Sequence, residues 1–353
     1  MSVDNHTPFP SLAFRQYNLN GDLLGVVVAR GTFRLTNAGP LQLADKQYPL
    51  AMSDSYDGDP HQTPQTACTD LAPFKPGTDV TFLGAAFTPD GEPARSFTCG
   101  LRVGPVGKRL RVHGQRFWRA KTRKTWKGLI ERDAEDALDG WDLTDAEPVT
   151  HVPIDWRLAF GGKIDGGEVF EQNPIGKGLV DEALFKERPE WPAPQIEDEF
   201  QPVKSVMDRH APAGFGPMSP FWEGRVARAG TYDDEWLNKR HPLLPRDFDF
   251  RFWQAAHPDL TTESWLQGDE DFELDNLLPG HPRLQGRLPG IQLGVEIDRG
   301  TGPARGLMKL DGVHFDMRPG IGRVFLTWRC GFPWPKRIGQ PKLQFVPLQA
   351  EPV

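Results

Sequence analysis

Short runs of apolar residues, many alternating with polar ones, predict β-strands in the first third of the chain. The run LLGVVVARGTFRL at residues 23–35 is rich in β-branched and apolar residues, and KRLRVHG at 108–114 places Leu110 and Val112 on one face. The turn signals KPGTD and PDGEP separate further runs, among them DVTFLGAAF and SFTCGLRVG. This pattern predicts strands joined by tight turns from residue 12 to about residue 113.

The periodic pattern fades over residues 161–290, where prolines recur and only residues 233–240 and 249–256 favour short helices. Strand patterns return in IQLGVEID, GLMKLDGVHFDM, RVFLTWRC and PKLQFVPL. We therefore predict a mainly β fold of antiparallel, β-sandwich-like sheets with long Pro/Gly-rich loops and a few short helices. Residues 1–353 are expected to form a single domain, in which N-terminal and C-terminal strands share one core around the loop-rich middle region 161–290.

The composition is typical of a loop-rich folded protein and argues against some classes of binding partner. The chain contains 37 Gly and 34 Pro, and its 11 Trp and 22 Phe can fill a core where regular structure is sparse. A net charge of -7 does not favour a nucleic-acid binder. The start MSVDNHTPFP lacks the features of a signal peptide, the longest apolar run is too short to span a bilayer, and three cysteines show no CxxC pairing. We expect a cytoplasmic protein that binds neither nucleic acid nor a membrane.

One segment concentrates charge of both signs. Residues 108–128 carry nine Lys or Arg and no acid, and residues 131–142 carry six Asp or Glu. The text GLIERDAEDALDGW is typical of a short acidic helix ended by Gly140. A basic strip with interleaved aromatics could contact nucleic acid, but neighbouring blocks of opposite charge usually neutralise each other. We favour a basic hairpin neutralised by this acidic helix.

A search for known catalytic and ligand-binding patterns finds none. The chain has no GxGxxG after a strand, no GxxxxGK[ST], no HExxH, no GxSxG and no Cys/His cluster at zinc spacing. Lys75 lies between Pro73 and Pro76, and a stiff entry into the following strand is a simpler interpretation than a catalytic lysine. We predict no catalytic residues, no cofactor and no metal site.

The stretch RHPLLPRDFDFRFWQAA at residues 240–256 mixes acids, bases and aromatics and allows two interpretations. His241, Asp247 and Asp249 are the nearest approach to a metal-binding set. Alternatively, Asp247 caps a short helix and pairs with Arg251 four residues later. The second arrangement satisfies every charge without a metal. We therefore predict a structural lock, meaning a segment whose own acids, bases and aromatics fix a long loop on a sheet.

Blocks of this sequence, taken in order, resemble one bacterial protein family. They span residues 53–279 and read SDSYDGDP, TDLAPFKPGTDV, LRVGPVGKRLRVHGQRFW, RLAFGG, NPIGKG, PAGFGPMSP, AGTYDDEWLNKRHPLLPRDFDFRFWQAAHPDL and LQGDEDFELDNLLP. The family is a domain of unknown function encoded beside type VI secretion effectors, the VgrG spike protein and PAAR-like tip proteins. Its members are regarded as cytosolic adaptors, or chaperones, that help to load an effector onto the spike.

The resemblance implies a non-catalytic adaptor that binds an effector protein, its PAAR-like tip protein, or both. It also allows VgrG as an additional partner. Large aromatic and basic side chains are common anchors at interfaces. The partner-binding residues that we predict are Trp222, Trp236, Trp253, Arg119, Lys121, Arg123 and Lys124.

Two other functions stay open at this point. A metal-dependent or glycan-cleaving hydrolase would need paired carboxylates in a pocket, drawn from Asp247, Asp249, Asp269 or Glu270. A carbohydrate-binding β-sandwich would expose a flat row of Trp side chains.

Overall fold

The structure is a computed structural model that describes residues 2–126, 134–298, 302–334 and 339–346. Strands dominate these residues, so the prediction of a mainly β fold is confirmed. The N-terminal part contributes β1 (Asp4–Asn5), β2 (Ser11–Tyr17), β3 (Leu23–Arg34), β4 (Gln42–Leu43), β5 (Ser55–Tyr56), β6 (Gln65–Ala67), β7 (Asp79–Leu83), β8 (Ala85–Phe87), β9 (Ser96–Val103), β10 (Val106–His113), β11 (Phe117–Trp126) and β12 (Ala134–Leu143).

The middle of the chain is built from loops, very short strands and short helices, as its Pro-rich text predicts. Its elements are β13 (His151–Pro153), β14 (Phe160–Gly161), β15 (Lys177–Gly178), β16 (Glu190–Pro192), β17 (Ile196–Asp198), α1 (Glu223–Val226), α2 (Asp234–Lys239) and the 3-10 helices Trp156–Leu158, Glu182–Leu184, Phe250–Trp253 and Pro258–Leu260. Helix α2 and the 3-10 helix Phe250–Trp253 lie inside the two segments predicted to be helical. Within the described residues, none of the helices has the length and apolar character needed to cross a membrane.

The C-terminal part consists of β18 (Asp271–Leu278), β19 (His281–Arg287), β20 (Gln292–Asp298), β21 (Pro303–Leu307), β22 (Lys309–Asp316), β23 (Arg323–Pro333) and β24 (Lys342–Val346). Strands β18 and β19 fall within residues 161–290, so the loop-rich region ends earlier than predicted. They form a hairpin because Phe272 and Leu274 alternate with polar residues, and Gly280 adopts the positive φ of 72° that its turn requires.

Two large sheets contain most of the core. The first has the order β2-β3-β23-β22-β7, with β4 added beside β3, and the second has the order β17-β10-β9-β18-β19. Strand β3 pairs antiparallel with β23 over ten residue pairs, so N-terminal and C-terminal strands share a sheet, as the sequence predicts. Phe272 on β18 and Phe315 on β22 pack with ring centroids 5.3 Å apart, which joins the two sheets in one hydrophobic core.

The predicted acidic helix is wrong: residues 134–143 form the strand β12, which pairs antiparallel with β11. Residues 127–133, which include Lys127, Glu131 and Asp133, lie outside the described residues. Gly140, expected to end a helix, has a φ of 138° beside an irregularity in the strand pairing. Cross-strand pairing with the basic strand outweighs local helix propensity here, because it places opposite charges next to each other.

Candidate functional site

An open groove of about 740 Å³ lies on the loop-rich middle of the chain. Its apolar lining includes Pro212, Met218, Ala227, Ala256 and Pro258. Four of these five side chains, all except Met218, are small or cyclic enough to leave space above them. A recess with an apolar floor and a few polar groups is the usual form of a binding site for a ligand or a peptide.

Arg225 holds two walls of this groove together. Its buried guanidinium donates from Nη1 to the Met218 carbonyl at 2.7 Å and from Nε to the Phe252 carbonyl at 2.9 Å. The Met218 backbone N–H donates to the Ala255 carbonyl at 2.8 Å. Charge-assisted bonds of this kind hold loops in place where no sheet does.

A close backbone approach fixes the third wall. A Cβ atom on Gly77 would lie 1.9 Å from the Thr262 carbonyl oxygen, so only glycine allows this contact. Thr78 N–H donates to Thr262 Oγ1 at 2.8 Å, and Thr262 N–H returns a bond to the Thr78 carbonyl at 3.0 Å. The loop that carries Pro76 is therefore attached directly to Thr262, which also lines the groove.

Lys75, which precedes the groove residue Pro76, is buried and paired with an acid. Its Nζ lies 2.7 Å from Asp79 Oδ2, and the same oxygen accepts from the Ala255 N–H at 2.9 Å. Burial acts to lower the pKa of Lys75, but the carboxylates of Asp79 and Asp311 outweigh burial and raise it. An ammonium held in its charged form is a poor nucleophile. This geometry agrees with a stiff entry into β7.

Lys75 and Asp79 belong to a larger set of buried charges around a cavity of about 60 Å³. The ionic side chains that line the cavity are Arg30, Asp70, Lys75, Asp79, Asp311 and Arg329. Arg30 pairs with Asp70 at 3.2 Å, and Arg329 pairs with Asp311 at 3.2 Å. Three cations face three carboxylates, and burial raises the pKa of Asp311 to about 6. We call these six residues the buried charge cluster.

The buried charge cluster was missed by sequence reasoning. Its signal is a single charge inside an otherwise apolar strand, as in VVVARGTF around Arg30 and FLTWRC around Arg329. Such a residue is buried together with its strand and needs a partner. The partner can come from any other part of the fold, so the pairing itself is not visible in the sequence.

Two polar side chains in the groove have hydrogen-bonding capacity to offer a ligand. Gln254 is only 8% exposed, and its side-chain amide has no hydrogen bond among the described residues. His257 Nδ1 accepts from the Asp259 backbone N–H at 3.1 Å. Burial, and next the charge of Lys108, lower the pKa of His257 to about 4, so its ring is neutral at pH 7.

Charged side chains form the rim of the groove. Arg228 donates to the Gly224 carbonyl, and Arg251 Nε donates to Asp249 Oδ2 at 2.7 Å. The rim carboxylates of Glu223 and Glu263 have no ion pair in the described part of the chain. Asp249 offsets the charge of Arg251, so the two carboxylates without an ion pair outnumber the one guanidinium, Arg228, that lacks an acidic partner among the described residues, and the rim favours positive charge.

The two acids of the stretch 240–256 are satisfied by contacts within the protein, although not by the predicted pairs. Asp247 accepts from Thr231 N–H at 3.0 Å and from Thr231 Oγ1 at 2.8 Å, and does not pair with Arg251. Asp249 is the residue that caps the 3-10 helix, accepting from the Arg251 N–H at 2.9 Å. The cap shifts by two residues because the helix begins at Phe250 rather than at Phe248.

Each of the four acids considered for a hydrolase has its own hydrogen-bond or ion-pair partner within the protein. Asp247 and Asp249 have the partners just described, and Asp269 pairs with Arg287 at 3.3 Å. Glu270 accepts from the Gln267 and Gly268 backbone N–H groups at 2.6 and 2.9 Å. Across residues 2–126, 134–298, 302–334 and 339–346, no group of three or more His, Cys, Asp or Glu is arranged to hold a metal ion.

The aromatic residues predicted to bind a partner differ in accessibility. Trp222 is 1% exposed and packs edge-on against Trp156 at 5.7 Å, so the prediction that it is a surface side chain is wrong. Trp236 is half-buried and donates from Nε1 to the Leu243 carbonyl at 2.8 Å, and Trp253 is half-buried against Phe252. Of the tryptophans whose side chains the structure describes, none is exposed enough to form a flat carbohydrate-binding row.

The basic residues predicted to bind a partner lie on the ribbon formed by β11 and β12. Arg119 pairs with Glu190 at 2.6 Å, and three further exposed pairs cross the ribbon: Lys121–Asp142 at 3.6 Å, Arg123–Asp139 at 3.5 Å and Lys124–Asp136 at 2.9 Å. The prediction that neighbouring acids neutralise these bases is confirmed, with a strand in place of the helix.

The structure therefore defines the class of protein as mainly β, with a groove formed by the loops of its middle region. These loops are held by Arg225 and by the contact of Ala255 with Asp79 of the buried charge cluster. Residues 20–329 match the family described as an uncharacterized protein conserved in bacteria, DUF2169. The chain belongs to this family. No curated protein and no solved structure matches it.

Proposed function

We propose that this protein is a non-catalytic cytoplasmic adaptor, or chaperone. It binds a type VI secretion effector, or the PAAR-like tip domain of that effector, and helps to load it onto the VgrG spike. The observation that carries the proposal is the groove, an apolar recess of about 740 Å³ with unpaired polar groups on a scaffold of locked loops. The resemblance of ordered blocks over residues 53–279 to adaptors encoded beside VgrG supports the choice of partner.

An adaptor role is physically reasonable because a binding surface that is ordered before the partner arrives avoids the entropy cost of ordering it. Loops that are already fixed by Arg225, by Gly77 and by the buried charge cluster lose little entropy when a partner binds. A loader also has to release its cargo, which a groove on one face allows more readily than an enclosing cavity.

The test is capture of an identified partner from cells that carry the native locus. A tagged chain expressed at its normal level is expected to recover the adjacent PAAR-like protein or effector, identified by mass spectrometry. Deleting the gene should leave the effector in the cytoplasm and abolish its secretion, and plasmid complementation should restore secretion. If the folded, tagged protein recovers neither protein and secretion is unaffected by the deletion, the proposal fails.

A further inference from the structure

We propose that the groove recognises an extended peptide segment by its backbone, with Gln254 pairing one peptide unit, an apolar side chain above Ala227 and Ala256, and a Lys or Arg at the rim. This inference rests on the proposed function only in taking the segment to be part of the effector or tip protein. The mode of recognition is a property of the groove and can be tested without that partner.

Gln254 is the first support. More than nine-tenths of this residue is buried, yet its amide makes no hydrogen bond within the described residues, and it lines the groove. Its polar atoms are not among the fully buried side-chain atoms that lack a partner, so the amide reaches solvent through the groove and is available to a ligand. The amide presents a donor beside an acceptor, which complements the C=O and N–H of a peptide unit.

His257 adds a second donor of defined tautomer. Because Nδ1 accepts the Asp259 N–H at 3.1 Å, the proton of the neutral ring resides on Nε2. Nε2–H is then the remaining donor of a side chain that lines the groove. Backbone acceptors are free only in an extended segment, since a helix satisfies its own carbonyls.

The floor and the rim of the groove indicate which side chains the bound peptide should carry. Ala227, Ala256 and Pro212 leave room for a larger apolar side chain. Glu223 and Glu263 lack ion pairs in the part of the chain that is described. Asp249 offsets Arg251, whereas Arg228 donates to a neutral carbonyl, so carboxylates exceed uncompensated guanidinium groups by one. Charge complementarity therefore favours a basic residue beside the apolar one.

A phage-displayed library of random linear peptides provides the probe. Immobilised wild-type protein is expected to enrich apolar peptides that carry a Lys or Arg, with enrichment reduced at high salt. Ala227→Trp fills the groove from an exposed position and should abolish the enrichment. Ala183→Trp, at an exposed alanine of the 3-10 helix Glu182–Leu184, is the matched control and should enrich the same peptides.

The affinity of one enriched peptide then tests Gln254 directly by titration calorimetry. Gln254→Ala should weaken binding about tenfold, the effect of losing hydrogen bonds to a buried partner. Gln254→Asn keeps the amide and should retain part of the affinity, and Gln115→Ala changes an exposed glutamine outside the groove and should have no effect. Thermal unfolding of each variant verifies that it is folded.

Three outcomes overturn the inference: no enrichment by the wild-type protein, enrichment that survives Ala227→Trp, or affinity unchanged by Gln254→Ala. Failure of the adaptor proposal looks different. In that case the library result persists, but neither the tip protein nor the effector is recovered from cells.

Discussion

Arg329 Nε lies 3.2 Å from Asp311 Oδ2, and both side chains are almost completely buried. The same guanidinium donates to the Ala72 carbonyl at 2.9 and 3.0 Å and to the Asp70 carbonyl at 3.2 Å. One side chain on β23 therefore connects β22 with the loop that leads to Lys75. This loop forms one wall of the groove, so the contact links the core to the candidate site.

Arg329→Met removes the guanidinium and leaves Asp311 buried without its cation. We expect a loss of about 3–5 kcal/mol in the free energy of unfolding at pH 7, measured by urea denaturation, because breaking one side of a buried pair strands the other charge. Asp311→Asn should cost less, since burial already raises the pKa of Asp311 to about 6 and favours its neutral form. Equal stability of Arg329→Met and the wild type would contradict the role given to this pair.

His314 should make stability depend on pH. Its Nδ1 lies 2.8 Å from Thr81 Oγ1, and burial lowers its pKa to about 4, with Arg30 and Arg318 acting in the same direction and Asp316 against them. A histidine with a lowered folded pKa stabilises the protein above its unfolded pKa of about 6.5, and this stability is lost as pH falls towards 4.

The comparison that isolates His314 is with His314→Asn, which keeps an acceptor near Thr81. Between pH 8 and pH 5 the wild type should lose about 2 kcal/mol more than this variant, measured by urea denaturation. Asp311 acts in the opposite direction over the same range because its pKa is raised. His281→Asn changes an exposed histidine and should follow the wild-type profile. Parallel profiles for wild type and His314→Asn would show that His314 is not buried in its neutral form.

Asp249 caps the 3-10 helix Phe250–Trp253 and pairs with Arg251. Asp249→Ala should lower the free energy of unfolding by about 1 kcal/mol, the usual cost of losing a helix cap. Asp249→Asn keeps the capping oxygen and should recover most of that loss. A metal ion bound stoichiometrically to the wild type and lost in Asp249→Ala, detected by elemental analysis, would overturn the lock interpretation of residues 240–256.

Trp222 should contribute to folding and not directly to an interface. Because it is buried against Trp156, Trp222→Ala should reduce the free energy of unfolding by about 3–5 kcal/mol. Trp236→Ala, at a half-buried position, should cost less and serves as the comparison. If Trp222→Ala folds with wild-type stability and loses only partner binding, the core assignment is wrong.

The ribbon of β11 and β12 offers a salt-dependent contact. Replacing Arg119, Lys121, Arg123 and Lys124 together with Gln should change the melting temperature little, because exposed ion pairs contribute little to stability. If the ribbon meets the tip protein, the association rate in surface plasmon resonance should fall about tenfold at low salt and converge with the wild type at high salt. An unchanged association rate would exclude the ribbon from the interface. Replacing Asp136, Asp139 and Asp142 with Asn is the matched control.

Several features could be predicted from local sequence because they depend on neighbouring residues. A run of β-branched and apolar residues predicted the strand that became β3, a period-two pattern predicted β10, and prolines predicted the loop-rich middle. Asp and aromatic residues around 247–253 predicted a self-satisfied segment, although the capping residue differs by two positions.

Tertiary structure decided the rest, since it depends on contacts between distant parts of the chain. Asp311 and Arg329 meet Asp70 and Lys75 only because β22 and β23 join the sheet that contains β7. The acidic segment becomes a strand because β11 offers it cross-strand partners, which outweigh a local preference for helix. Gln254 and His257 line a groove together with Pro76, which lies more than a hundred residues earlier in the chain. Local sequence determines which segments can be strands, loops or caps, whereas burial and charge pairing among distant segments determine where the groove lies.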